Sequence, residues 1–296
     1  MHKNDLKINI DIVRSLINEQ FPEYSNLSIK QFNSSGTVNY IFRLGQELYI
    51  RLPRVREWSN IEKEYKLLSY LAPNLSLEIP EVIGVGEPDN SYPLKWAIYS
   101  WIKGSTYSDK FISDEIKAAK NLANFIKELQ SIAIPPGAPK AGREALNNLN
   151  KKTLKTINSA DNLNNKDKII RIWKKSLKVE PWDDKAVWIH SDLLRTNLLV
   201  QSGNLKAVID FGSAGIGDPA FDLIPAWSVF NSGAREVFKN YINADRESWI
   251  RARGYALHQA VLIIPYYKKS NPEFTLMAKR TLNEILKDYD LESKSK

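Results

Sequence analysis

The chain of 296 residues contains no cysteine, so a disulfide framework and a thiolate metal site are both excluded. It has no apolar run approaching the roughly 18 residues needed to span a bilayer. The N-terminal Met1-His2-Lys3-Asn4-Asp5 lacks the apolar stretch of a signal peptide, and the expectation is a cytoplasmic protein without a membrane partner. No internal repeat of solenoid length is present. Clustered basic charge is also missing. The net charge is +8, but the lysines are scattered, and the densest run, Lys151-Lys152 to Lys155, reads as a solvated face in an Asn-rich stretch. A nucleic-acid partner is therefore not expected.

What is present is a chain long enough for two lobes with a sizeable core, since 43% of its residues are hydrophobic. Ile10–Gln20 has Ile12, Val13, Leu16 and Ile17 on one helical side. Leu27–Phe32 reads as a short strand, and Tyr40–Leu44 and Glu47–Leu52 as two more around a Gly45-Gln46 turn. Trp58–Leu71 reads as a helix, with Val82–Gly86 and Trp96–Trp101 as further strands. After Gly104 the pattern becomes helical, beginning with Asp114–Ile132 behind a Ser113 cap. The expected architecture is α+β: residues 1–103 as a small antiparallel-sheet lobe with one inserted helix, and 104–296 as a larger, mainly helical lobe.

The chemistry is concentrated in Val187–Val200 and Ala207–Gly212. Asp192, Asn197 and Asp210 are hard oxygen ligands or bases, each beside an apolar β-like run. Leu198–Val200 and Leu205–Ile209 flank the turn sequence Gln201-Ser202-Gly203-Asn204. The expected hairpin pairing across that turn has Val200 opposite Ala207 and Asn197 opposite Asp210. Two neighbouring oxygens suit Mg²⁺, which takes few protein ligands and keeps sites for phosphate and water.

His190, Asp192 and Asn197 followed by Asp210-Phe211-Gly212 match the kinase set His-x-Asp-x₄-Asn…Asp-Phe-Gly. With Gly217-Asp218-Pro219-Ala220-Phe221-Asp222-Leu223, these segments resemble the aminoglycoside phosphotransferase family of small-molecule kinases, over nearly the whole chain. The resemblance implies a bilobal protein-kinase-like fold. It implies a γ-phosphate moved from ATP or GTP, with Mg²⁺, to a small-molecule hydroxyl. Asp192 would orient the hydroxyl and take its proton, Asn197 and Asp210 would hold the metal, and His190 would brace the loop. The family carries His-Gly-Asp and a Pro-Gly pair before the Asn; this chain has Ser191 and Arg195-Thr196 there.

On the nucleotide side, Ser34-Ser35-Gly36-Thr37 stands where the family's phosphate-covering loop stands, although a plain hairpin turn would explain it equally. Arg51 replaces the family's third-strand lysine. Its expected partner is Glu64, near the buried stripe of the inserted helix, rather than Glu62. Ser100 carbonyl and Ile102 amide would meet the purine edge, and Trp101 is as well explained as core as by base stacking. Asp218 and Asp222 read as a helix cap and a structural carboxylate tied to the catalytic loop. His258 reads as a satisfied core histidine.

An aminoglycoside is the leading expected acceptor, which would make the protein an antibiotic-resistance enzyme, expected to be a monomer. Polycationic acceptors call for carboxylates, yet the chain from Phe221 onward is not acidic overall. Glu236, Asp245 and Glu247 are the candidates for a local patch. Trp227, Phe230, Trp249, Tyr255, Tyr266 and Tyr267 could line a macrolide pocket, although helical core accounts for most of them. A choline- or homoserine-like metabolite is a further alternative. A catalytically dead binding module is the reading of another class, and Arg51 is its best support.

Overall fold

The computed structural model describes residues 6–32, 39–55, 61–182 and 185–294. The expected Trp58 helix start and the Ser34-Ser35-Gly36-Thr37 loop lie outside them. The chain forms two compact units. The first comprises residues 1–73, 78–104 and 207–212; the second comprises 74–77, 105–206 and 213–296.

In the first unit, β1 (Ile29–Phe32), β2 (Asn39–Leu44), β3 (Leu48–Pro53), β4 (Val82–Gly86) and β5 (Trp96–Ser100) form one sheet. Its order is β1-β2-β3-β5-β4, and every neighbouring pair is antiparallel. Side chains alternate between faces. Phe42, Leu44, Ile50, Leu52, Trp96 and Ile98 fall on one side and pack with Val13, Leu16 and Ile17 of α1 (Ile10–Gln20). Asn9 caps that helix by accepting from the Ile12 amide. The alternate residues of β3 and β5, among them Arg51 and Tyr99, occupy the other face. There Arg51 meets Glu64 of α2 (Ile61–Leu71), the helix inserted between β3 and β4.

In the second unit, α3 (Glu115–Ser131) is capped by Asp114, which accepts from the Lys117 amide. Ser113, the expected cap, instead donates its hydroxyl to the Gly203 carbonyl. The Pro-, Gly- and Asn-rich region resolves into a loop, α4 (Leu146–Ser159) and α5 (Lys166–Ser176). Lys151, Lys152 and Lys155 are exposed on α4, as a solvated face requires. Then come α6 (Pro225–Ser228), α7 (Ser232–Ile242), α8 (Arg246–Tyr266) and α9 (Pro272–Lys294). α8 is buried on most sides and packs against α4, α5 and α9, which makes it the axis of the bundle. No helix among the described residues is long and apolar enough to cross a membrane.

Short strands carry the loops of interest. β7 (Val187–Ile189) pairs antiparallel with β10 (Gly215–Gly217). β6 (Ser105–Thr106), β8 (Leu198–Gln201) and β9 (Asn204–Val208) form a three-stranded sheet. The β8–β9 turn is Ser202-Gly203, with φ of 48° and 78°. Two left-handed residues make the tight hairpin whose twist matches its strands. The expected four-residue turn is thus corrected to two. A turn centred between Ser202 and Gly203, of either length, sets Val200 opposite Leu205, and the expected pairing with Ala207 is corrected to that. The register that set Asn197 opposite Asp210 does not hold, and Asp210 lies beyond the end of β9.

Gly86 shows how closely the first unit packs. A Cβ there would lie 2.0 Å from the Trp96 indole, itself fully buried. We expect Gly86→Ala to destabilise the protein by about 1–3 kcal/mol, as overpacking does. A thermal melt checks this, and an unchanged Tm would show that Trp96 can move aside.

Candidate active site

The loop of the second unit that carries Asp192 starts at the end of β7 and is held from below. Asp222 is fully buried and accepts from two successive amides, His190 N–H at Oδ2 and Ser191 N–H at Oδ1, each 2.8 Å away. Burial raises its carboxyl to about 7, the two amide hydrogen bonds oppose that rise, and the neighbouring Asp192 charge adds to it. His190 is also buried, and its Nδ1 accepts from the Asp192 amide at 3.3 Å. Nδ1 is therefore an acceptor, and a neutral ring carries its proton on Nε2.

Asp192 is oriented by Asn197. The Asn197 Nδ2 donates to the Asp192 carbonyl and to its Oδ2, both at 2.9 Å. Two acceptors require the amide nitrogen on that side, so the assignment of the amide follows from its partners. The amide oxygen Oδ1 remains for another partner. Asn197 ends the 3₁₀ turn Arg195–Asn197, whose geometry lets residues 192 and 197 meet.

Arg195 is almost wholly buried within that turn. Its Nε and Nη2 donate to the Val229 carbonyl, and Nη2 also pairs with Asp109 at 2.7 Å. The guanidinium stands 5.2 Å from the Tyr107 ring centroid. The positive charge in the loop is thus directed into the protein and compensated. Asp218 caps the 3₁₀ turn Pro219–Leu223 through the Ala220 amide and pairs with Arg251 Nε at 3.0 Å. Cap and loop tether are the roles this geometry gives Asp218 and Asp222.

In the first unit, Arg51 Nη1 meets Glu64 Oε1 at 2.7 Å, with both side chains buried. Glu62 is exposed and pairs with Lys95 instead. Burial raises the Glu64 carboxyl; Arg51 opposes the rise and Asp210 adds to it. Burial works against the charge of Arg51, but Glu64, Tyr99, Asp210 and Tyr49 together outweigh it and hold the guanidinium more firmly protonated. Asp210 has φ of 66°, and a Cβ built on Gly212 would lie 3.5 Å from both Arg51 Nη2 and Asp210 Oδ1. Arg51, Glu64 and Asp210 therefore form one charge cluster.

At the end of β5, the Ser100 N–H donates to the Glu81 carbonyl, so its own carbonyl turns the same way, off β3. The Trp101 amide donates to the Glu47 carbonyl. The Ile102 amide has no hydrogen-bond partner among the described residues. Trp101 is held in its own unit, with Arg43 stacked 3.8 Å from its ring centroid and Phe32 against its edge.

His258 is core: Thr153 Oγ1 lies 2.7 Å from its Nδ1, and burial lowers its imidazole to about 4, so it is neutral. Of the aromatic residues, Trp227, Phe230 and Tyr255 are buried, whereas Tyr266 is 75% exposed. Asp245 is spent as the α8 cap and Glu236 pairs with Lys239. No group of three or more His, Asp or Glu suited to a metal exists among the described residues. Asn197 belongs to the second unit and Asp210 to the first, and oxygen donors of their kind suit Mg²⁺.

A family model described as the phosphotransferase enzyme family matches residues 28–257. The chain belongs to this family. It is accordingly a phosphotransferase with an alcohol group as acceptor. No curated protein sequence matches this phosphotransferase. Among solved structures, it is similar to aminoglycoside 2'-phosphotransferase-IIIa in complex with GDP, at 18% identity and a TM-score of 0.71. That match covers 95% of this chain and 100% of the other. It is also similar to APH(2")-IIa in complex with gentamicin, at 19% identity and a TM-score of 0.63, covering 95% and 99%. Macrolide 2'-phosphotransferase MphH from Brachybacterium faecium matches at 18% identity and a TM-score of 0.61, covering 93% and 97%. These likenesses establish the kinase-like fold, with its antiparallel-sheet unit and helical unit.

Sequence reasoning missed the partners of the phosphotransferase's loop. Nothing local links Arg195 to Asp109, 86 residues away, or to the Val229 carbonyl. It also passed over Arg143, whose desolvation is opposed by the charge of Asp192. The departure from Pro at position 195 was the available signal, but it did not name a partner.

A pH-dependent stability follows from Asp222. Its folded pKa lies above the unfolded value, so the native state binds the proton more tightly. That contribution is full below about pH 4 and is lost as pH rises to about 7. We expect Asp222→Asn to flatten the decline in Tm between pH 5 and 7. It should also cost about 1–3 kcal/mol throughout, because an amide NH₂ would then face a backbone N–H. Melts across that range check both, and parallel pH curves would refute the titration.

Proposed function

We propose that the protein transfers the γ-phosphate of ATP or GTP to a hydroxyl of an antibiotic, with an aminoglycoside as the leading acceptor and resistance as the outcome. The observation that carries this reading is the Asn197 amide fixing Asp192 through both its carbonyl and its carboxylate. A carboxylate held in that way is suited to accept one specific proton. Asp192 aligns the acceptor oxygen and takes its proton as that oxygen bonds to the γ-phosphorus and the bond to the β-phosphate oxygen breaks. Asn197, through Oδ1, and Asp210 are the residues that would hold Mg²⁺, which neutralises phosphate charge when bound.

Arg51, kept in place by Glu64, contacts the phosphates with a fork that a lysine lacks. Ser34, Ser35, Gly36 and Thr37 cover them. The Ser100 carbonyl and Ile102 amide receive the purine edge, and the free Ile102 amide supports that role. The nucleotide-binding function is assigned to residues 1–103 and the catalytic and acceptor functions to 104–296. The enzyme acts as a cytoplasmic monomer, with no nucleic-acid or membrane partner.

A macrolide is the second acceptor reading. It is favoured by exposed Tyr266 beside Tyr267 and Phe274, and by the engagement of Asp245 and Glu236 within their own helices. A nucleotide-turnover screen against aminoglycosides, macrolides and amino alcohols decides between them. We expect Asp192→Asn to lower kcat by about 10²–10⁴-fold with nucleotide affinity retained. Equal turnover in the two proteins would remove Asp192 from the mechanism. Asp210→Ala should weaken Mg²⁺–nucleotide binding at least tenfold by calorimetry, about 1.4 kcal/mol. An unchanged isotherm would remove Asp210 from the metal site.

A further inference from the structure

Ser191 has φ of 63°, a conformation that costs an L-residue other than glycine about 1–2 kcal/mol. Its setting differs from that of most other non-glycine residues with positive φ. Asn165 and Asn243 are of a type that tolerates this region, and Ser202 belongs to a hairpin turn. Ser191 stands between β7 and Asp192, where no turn requires the conformation. It follows from the carboxylate beneath: turning the Ser191 amide toward Asp222 takes the backbone out of the β7–β10 ladder.

That departure leaves a gap in the ladder. β10 pairs with β7 as Gly217↔Val187, Ile216↔Trp188 and Gly215↔Ile189. Continued by two residues on each strand, the register sets Ser191 opposite Ser213. At that position the Ser191 hydroxyl donates to the Ser213 carbonyl at 2.8 Å. The side chain thus supplies the rung that the backbone gives up. It also tethers the residue before Asp192 to the residue after Gly212.

We propose that Ser191 is a positioning residue for the phosphotransfer base, its hydroxyl fixing the peptide that leads into Asp192. The proposal rests on the reading of Asp192 as that base. Asn197 and Asp222 hold the loop from two other directions. With the hydroxyl removed, the peptide between residues 191 and 192 keeps the His190 Nδ1 contact to its N–H but loses its tether on the Ser213 side. A misplacement of about 1 Å at a reacting group costs about 10²-fold in rate.

Two variants separate positioning from stability. Ser191→Gly removes the rung and the backbone strain together, so Tm should stay level or rise while kcat falls about tenfold or more at unchanged nucleotide KM. Ser191→Ala removes the rung and keeps the strain, so Tm and kcat should both fall. Amide exchange at residues 191–193 of Ser191→Gly gives a readout without turnover, and should be about tenfold faster than in the parent protein. Unchanged exchange in Ser191→Gly would overturn the proposal, as would wild-type kcat. A kcat loss that merely tracks Tm across the two variants would also overturn it. Asp192→Asn measured alongside keeps the two failures apart, since a fully active Asp192→Asn sinks the base assignment itself, whereas an inactive one beside a fully active Ser191→Gly sinks only the role of Ser191.

Discussion

Asp222 lies under the loop that carries Asp192, with one carboxylate oxygen on each of two consecutive backbone amides. Burial works against its charge, while the two N–H donors favour it, and the balance places its titration near neutrality. Ionised, it accepts from both amides at full strength; protonated, its hydroxyl oxygen keeps a weaker acceptor capacity, which the nitrogen of an amide side chain lacks. Much of the loop follows from this contact. It turns Ser191 left-handed, sets His190 so that Nδ1 receives the Asp192 amide, and leaves Asp192 where Asn197 can reach its carbonyl and one carboxylate oxygen. The loop is thus specified by hydrogen bonds among buried polar groups, since a buried amide left unmatched is costly.

The same economy operates in the first unit, on the sheet face opposite α1. Arg51 and Glu64 are buried together, and an ion pair of this kind adds little net stability because both groups are desolvated. Its effect is to fix direction. Each member would be strongly unfavourable alone, so the α2 helix and the β3 strand are held in one relative register. Stacked Tyr49 and Tyr99 close the surroundings of Arg51. Asp210 adds negative charge to the same cluster and helps keep the guanidinium protonated. An arginine in this position therefore does not weigh against activity by itself, because the cation and its carboxylate partner are both retained.

The second unit compensates for its unusual loop composition through long-range contacts. A proline would stiffen the backbone before Asn197 locally. Arg195 instead ties the turn to the Val229 carbonyl and to Asp109. The hydroxyl of Ser191 plays a comparable part toward Ser213. Both side chains replace conformational restriction with hydrogen bonds, and both are directed into the unit to which they belong.

Periodicity and composition determined a good deal. Apolar alternation in Phe42, Leu44, Ile50 and Leu52 specified strands and their buried face, because side chains on a strand alternate with period two. The stripe of α2 singled out Glu64 over Glu62, because a residue three from Ile61 and four from Leu68 shares their side. The order His190, Asp192, Asn197, Asp210 marked the family, because a polar set with fixed spacing survives in the chain whatever the loop geometry. Only the tertiary structure decided the rest. The β8–β9 turn took two left-handed residues rather than four turn residues, a choice of backbone torsion that the letters Gln-Ser-Gly-Asn permit either way. The Asp109 partner of Arg195 and the Ser213 partner of Ser191 lie 86 and 22 residues away along the chain. Such contacts exist only once strands and helices have packed, because a side chain's polar partner is set by proximity in space and not by distance along the sequence.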